Sequence, residues 1–223
     1  MKQYSYLIYW ASSLVILVLL GFYNSYFSLF PDFKNISGAV HFHTAVMSIW
    51  LVLIVLQPML LYWGKINLHR IAGKFSYFIA PFIFGAFLVL IVQKYLYDQS
   101  NMSWERNTLL RSISFISTAS FMSCYLLAIK NVKHQKRHMQ YMISTGITLF
   151  PPAFARVLYA VKVSPVTAEL STLFITILFI IALMHKDKTG SFTRSPYGVV
   201  LSFHLVMLAN YIILFRLVLI EAI

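Results

Sequence analysis

Apolar residues fill this 223-residue chain in long blocks separated by short polar connections. A helix needs about 20 mainly apolar residues, rising about 1.5 Å each, to cross a hydrocarbon core of about 30 Å. Seven stretches meet that requirement: Tyr6 to Leu29, Gly38 to Trp63, Phe75 to Tyr97, Leu110 to Lys130, His138 to Val161, Val166 to His185 and Tyr197 to Ile220. The pattern predicts an all-α integral membrane bundle of seven transmembrane helices forming one domain, 1–223. The connections leave no room for a soluble domain, and no sequence repeat is visible. The first run follows Lys2, as in a secretory signal. It continues through Leu20 to Phe30, longer than a signal core, and lacks a small-x-small cleavage site, so it is read as a span.

Composition agrees: 60% of residues are hydrophobic and 11% charged, against about 25% charged in soluble domains. A net charge of +12 would suggest a nucleic-acid partner in a soluble protein. Here the bases lie in short loops and act as topology signals, so the expected partner is the lipid bilayer. One side holds Lys2, Lys65, Arg70, Lys74, Lys130, Lys133, Lys136, Arg137, Lys186, Lys188 and Arg194 with the single acid Asp187. The other holds Lys34, Lys94, Arg106, Arg111, Arg156, Lys162 and Arg216 with Asp32, Asp98, Glu105, Glu169 and Glu221. The excess of bases places the first side in the cytoplasm, giving a multi-pass protein of the cell membrane with its N-terminus inside and its C-terminus outside. Tyr9, Trp10, Trp63, Tyr95, Tyr97 and Trp104 fall near span ends, where interfacial aromatics concentrate.

Within the spans, Pro151 and Pro152 predict a kink in the fifth, and Pro58 and Pro81 milder bends in the second and third. Serines and Thr118 in the fourth span, among them Ser112, Ser117 and Ser120, favour close helix approach. Cys124 is the single cysteine, so no intramolecular disulfide forms, and its apolar setting suits a small packing residue.

Ionisable groups at membrane depth are the candidates for function, because burying them is costly. Sorted by depth, they fall into two layers. The outer layer holds His43, Arg156, Glu169 and Arg216, each roughly 5–8 Å inside its helix end. His41, about 200° around the helix from His43, cannot face the same site. Two readings stand: a site for a small anionic ligand, or arginines snorkelling to headgroups with Glu169 favoured at a helix start. The inner layer holds His69 and Arg70, then Arg137 and His138, and His204 about two turns into the last span. Imidazoles facing each other across neighbouring helices could ligate a b-type haem; headgroup contact or hydrogen-bonded packing is the competing reading. His134 and His185 fall in basic loops. Met139 and Met142 near His138 could take copper but equally fill an apolar helix. A Gly-rich phosphate loop, paired carboxylates, zincin or paired-cysteine motifs and a GxSxG elbow are all missing from the sequence, which disfavours hydrolysis and leans away from an enzyme.

From His43 through Gln57 to His69, Arg70, Gly73 and Lys74, the chain resembles a family of bacterial polytopic membrane proteins that carry a domain of unknown function. In that family a histidine opens one span, a glutamine lies near its far end, and a His-Arg-x-x-Gly-basic element opens the next. Arg137, His138 and the later Arg156 are similar as well, so the likeness covers about residues 38–160. It implies a bacterial inner-membrane protein and no established activity. A weaker likeness is to the b561-type cytochromes, which bind two haems through histidines on four consecutive helices. The interior of the third span and the fourth span contain no histidine and the sixth has one only at its closing residue, His185, so at most one inner haem is expected. The preferred expectation is a non-enzymatic module binding a small anionic or amphipathic ligand for transport or assembly. The alternative is haem-dependent electron exchange with a quinone through His69, His138 or His204.

Overall fold

The computed structural model describes residues 2–96, 104–187 and 195–221, with side chains over 4–93, 104, 106–187 and 195–214. Among the described residues the fold is all helical: α1 (Lys2–Phe22), α2 (Gly38–Tyr62), α3 (Ile66–Leu96), α4 (Trp104–Lys130), α5 (Gln135–Ile147), α6 (Phe150–Ala160), α7 (Pro165–Lys186) and α8 (Pro196–Glu221). A short 3-10 turn, Phe27–Leu29, lies between α1 and α2. Six helices, α1 to α4, α7 and α8, are long and apolar enough to cross a membrane. Their outward faces carry large exposed apolar side chains such as Val52, Phe78, Phe174 and Ile213, which suit lipid contact.

Local chemistry sets several helix ends. Ser37 and Ser164 cap α2 and α7 by accepting hydrogen bonds from the amides of Val40 and Thr167 at 3.4 and 3.2 Å. Pro165 opens α7 at a position where a missing N–H costs nothing. Gly64, at φ +70°, closes the α2–α3 hairpin in a conformation that glycine adopts without a steric penalty.

Where a kink is expected at Pro151 and Pro152, the helix stops at Ile147 and restarts at Phe150. Neither proline can donate to a carbonyl one turn back, and each ring crowds that carbonyl. Hydroxyls take up backbone acceptors beside the break: Ser144 donates to Gln140 O at 3.0 Å, Thr145 to Met142 O at 2.7 Å and Thr148 to Thr145 O at 2.6 Å. The pieces, about 20 and 16 Å long at 1.5 Å per residue, are each too short to cross alone. Pro58 and Pro81, by contrast, lie inside uninterrupted helices.

Among the described residues, two large apolar clusters and a smaller one of Leu109, Tyr211 and Leu214 organise the interior. One large cluster joins α1, α2, α3 and α4 through Ala11, Leu14, Trp50, Ile54, Ile83, Phe121 and Tyr125. The other joins α4, α5, α7 and α8 through Cys124, Ile147, Leu173, Ile180, Val200 and Leu201. Helix α4 is the shared wall: Phe121 and Tyr125 face the first cluster, and Cys124 faces the second. Two glycines bring α1 against the broken segment. A side chain at Gly21 would collide with the Ala153 carbonyl, and one at Gly146 with the Trp10 indole.

Candidate functional site: a cavity at the His69 end of the bundle

The hairpin of α2 and α3 is tied across its base by a reciprocal pair. Gln57 Nε2 donates to the His69 carbonyl at 3.3 Å, and His69 Nδ1 meets the Gln57 carbonyl at 3.4 Å. A carbonyl accepts only, so this contact assigns the His69 proton to Nδ1 and leaves Nε2 as the lone-pair nitrogen. His138, on the first turn of α5, repeats the arrangement, with Nδ1 donating to Ala128 O at 2.9 Å. The Gln57 amide is oriented by the same logic, since its oxygen would repel the His69 carbonyl. That oxygen, Oε1, is buried and has no hydrogen-bond partner in the protein.

These residues surround a cavity of about 320 Å³, within the usual range of about 300–1,000 Å³ for small-molecule sites. Trp10, Trp50, Leu53, Ile54, Met142 and Ile143 form apolar walls. His69, Arg70, Lys74 and His138 form the basic part, and Ser76, Tyr77 and Met139 complete the lining with other apolar groups. Among the described residues no carboxylate lines the cavity. Asp187, the acid of this end, is 6% exposed and paired with Lys136 at 2.5 Å. Trp50 is 1% exposed; its ring stacks edge-on against Phe121 and Tyr125, and its indole N–H has no hydrogen-bond partner. Ser76 is satisfied, with Gly73 O at 2.6 Å and the Tyr125 hydroxyl at 3.1 Å.

The opposite end is arranged differently. Glu169 on α7 receives both guanidinium nitrogens of Arg106, Nη1 at 2.7 Å and Nη2 at 2.5 Å, and the hydroxyls of Tyr159 at 2.6 Å and Tyr211 at 3.2 Å. Arg156 donates to Pro152 O at 2.7 Å on its own helix and lies 4.4 Å from the centre of the Phe22 ring. It is within electrostatic reach of His43 and Glu169, while the His43 ring packs 4.7 Å from that of Phe87. The side chain of Arg216 lies outside the described residues.

Of the inner-layer histidines, His69 and His138 share the cavity and His204 does not. His204 is fully buried on α8, where Nδ1 meets Val200 O at 2.7 Å, among helix neighbours that belong to the second apolar cluster. Gln57, His69, Arg70, Gly73 and Lys74, the positions of the short motif, all line the one cavity. Three residues that matter here carry little sequence signal. Arg106 falls outside the expected fourth span, because α4 begins a turn and a half earlier at Trp104. Trp10 is read from sequence as an interfacial aromatic, yet it fills the space above Gly146. Trp50 is one more apolar residue in an apolar run. No known protein family, curated protein or solved structure matches this chain.

Proposed function

We propose that this protein binds a small amphipathic ligand in the His69 cavity, the ligand's polar or anionic end meeting Arg70 and Lys74 and its apolar body lying against Trp10, Trp50 and Leu53. The observation that carries this reading is the lining: two full cations and two imidazoles open onto one apolar cavity without a carboxylate among the described residues. Exposed cations beside an apolar cavity, with no carboxylate in its lining among the described residues, favour an anion or a dipole aimed at them. In this reading the chain crosses the membrane seven times, α5 and α6 together forming the broken fifth crossing, and the cavity faces the cytoplasm, an orientation that the excess of bases in the loops at this end supports. Transport of the ligand or assembly of a partner is the resulting role. The test is native mass spectrometry of protein purified in mild detergent. An amphiphile retained by the unaltered chain and lost from an Arg70→Gln, Lys74→Gln double variant is expected, and equal retention by both would overturn the assignment. A cytoplasm-dependent reporter fused after Ile223 should stay silent; a strong signal would overturn the orientation.

A second reading is favoured by the two imidazoles, whose Nδ1 atoms are spent on carbonyls and whose Nε2 atoms remain for a ligand. His69 and His138 would hold a b-type haem, with Arg70 and Lys74 available to its propionates. The haem would supply one-electron transfer, which would make a quinone a natural partner. A reduced-minus-oxidised spectrum of protein from haem-sufficient cells with no Soret feature would dismiss this reading.

A further inference from the structure

We propose that the ligand of this cavity carries a hydroxyaromatic head, a phenol or hydroquinone, and that the site discriminates against the corresponding quinone. The inference rests on the amphipathic-ligand reading and narrows its chemistry. Its basis is the inventory of donors and acceptors that the protein leaves unpaired. Gln57 Oε1 is a buried acceptor without a partner, and the indole N–H of Trp50 is a buried donor without one. Both residues line the cavity, and they stand seven residues apart on α2, two turns along the same face and about 10 Å in rise.

The two imidazoles add further neutral acceptors to the lining. With Nδ1 of His69 and His138 donating to carbonyls, the nitrogen each ring has left for a ligand is a lone pair. Three neutral acceptors therefore await a donor, while the donors of the lining are the Trp50 N–H, the Tyr77 hydroxyl and the exposed cations Arg70 and Lys74. A buried acceptor left unsatisfied carries its full desolvation cost, so the ligand that binds best brings donors to it. A hydroxyl both donates and accepts through a single oxygen. A phenol can serve either position, donating to Gln57 Oε1 or an imidazole or accepting from the Trp50 N–H, and the two hydroxyls of a hydroquinone, at opposite ends of the ring, can serve both. A quinone carbonyl accepts only. It can use the Trp50 N–H or the cations, but it brings no donor to Gln57 Oε1 or to the histidine lone pairs. An alkyl carboxylate matches Arg70 and Lys74 and leaves Gln57 Oε1 unserved. The aromatic character of the head is matched to the indoles of Trp10 and Trp50, both of which line the cavity.

The experiment uses the full chain in lipid nanodiscs under argon, with binding measured as retention above protein-free nanodiscs. The probes are decyl-hydroquinone, the matching decyl-benzoquinone, 4-decylphenol and decanoate. The hydroquinone and the phenol are expected to bind at least about tenfold more tightly than the quinone, the factor that one hydrogen bond of ordinary net strength commands. Gln57→Met, which preserves volume and the backbone carbonyl that holds His69, should erase most of that preference. Equal binding of hydroquinone and quinone, or tighter binding of the quinone, overturns the hydroxyaromatic inference and leaves the amphipathic cavity standing. Binding of decanoate alone has the same consequence. Retention of none of the four overturns the cavity reading itself. The comparison of probes on the unaltered chain is decisive even if the variant folds poorly.

Discussion

Glu169 and Gln57 sit at opposite ends of the same bundle, and their surroundings differ in a way that separates architecture from function. The Glu169 carboxylate receives four donors from three residues on three helices, α4, α6 and α8, so each oxygen has two partners. That arrangement compensates a charge at membrane depth and cross-links elements distant in sequence. It leaves no lone-pair direction for a newcomer. Gln57, about as deep from the other end, has its amide nitrogen held and its oxygen unserved, beside cations that no carboxylate meets among the described residues. A saturated polar group holds a fold together, whereas an unsaturated one beside a cavity is poised for a ligand.

The sharpest way to break this comparison is to remove the saturated group. Glu169→Ala would strip Arg106 of its carboxylate in a partly buried setting, where the arginine side chain is 24% exposed. Loss of one partner from such a pair costs about 3–5 kcal/mol. Denaturation by SDS in mixed micelles should show a loss of that order, together with loosening of α7 from α4 and α8. A variant as stable as the parent would mean that the network is ornamental.

Next in size is a substitution that tests whether the cavity wall depends on close helix approach. At Gly146 an added methyl group meets the Trp10 indole, which is packed into the junction between the two apolar clusters. Gly146→Ala should cost about 1–3 kcal/mol through overpacking, measured in the same way. Because Trp10 is also a cavity wall, the variant should weaken ligand retention as well. A loss of stability with unchanged retention would show that the indole is scaffold and plays no part in binding.

Much of the architecture was legible because long apolar runs with capping serines and prolines state their own limits. The stretch expected from Gly38 to Trp63 is α2, Gly38–Tyr62, and that expected from Val166 to His185 is α7, Pro165–Lys186. Hydropathy locates the segment that suits lipid, however, and helix geometry extends beyond it. Helix α3 begins at Ile66, nine residues ahead of the expected Phe75, because His69, Arg70 and Lys74 are compatible with a helix though not with lipid. The first run ends at Phe22, short of the expected Leu29, where Tyr23, Asn24 and Ser25 turn the chain. Depth along each helix was countable, and it grouped His69 with His138. Rotation about the helix axes was not countable, so His204 entered the same layer although α8 turns it into a different cluster. The partner of Glu169 was hidden for a related reason. Arg106 lies before the expected span at Leu110 and was counted as a loop charge, yet its side chain meets the carboxylate on α7.

The smallest expected effect is the most informative about Gln57. Gln57→Met removes one long hydrogen bond, that from Nε2 to the His69 carbonyl at 3.3 Å. The contact from His69 Nδ1 uses the backbone carbonyl of residue 57 and survives the exchange. Against the lost bond stands the removal of a buried oxygen that the protein leaves unpaired, and relief of its desolvation cost offsets much of the loss. The two side chains are similar in volume, so the neighbouring walls need not move. Net stability should therefore change by no more than about 1 kcal/mol, several-fold less than at Glu169, when SDS denaturation is followed for both variants side by side. A loss at Gln57 as large as that at Glu169 would mean that the amide is structural. The cavity would then have to be read as a by-product of the hairpin clamp. A negligible loss accompanied by weaker binding of a hydroxyaromatic probe would place Gln57 on the functional side of the comparison, because a group that the fold does not need is retained there for what it contacts.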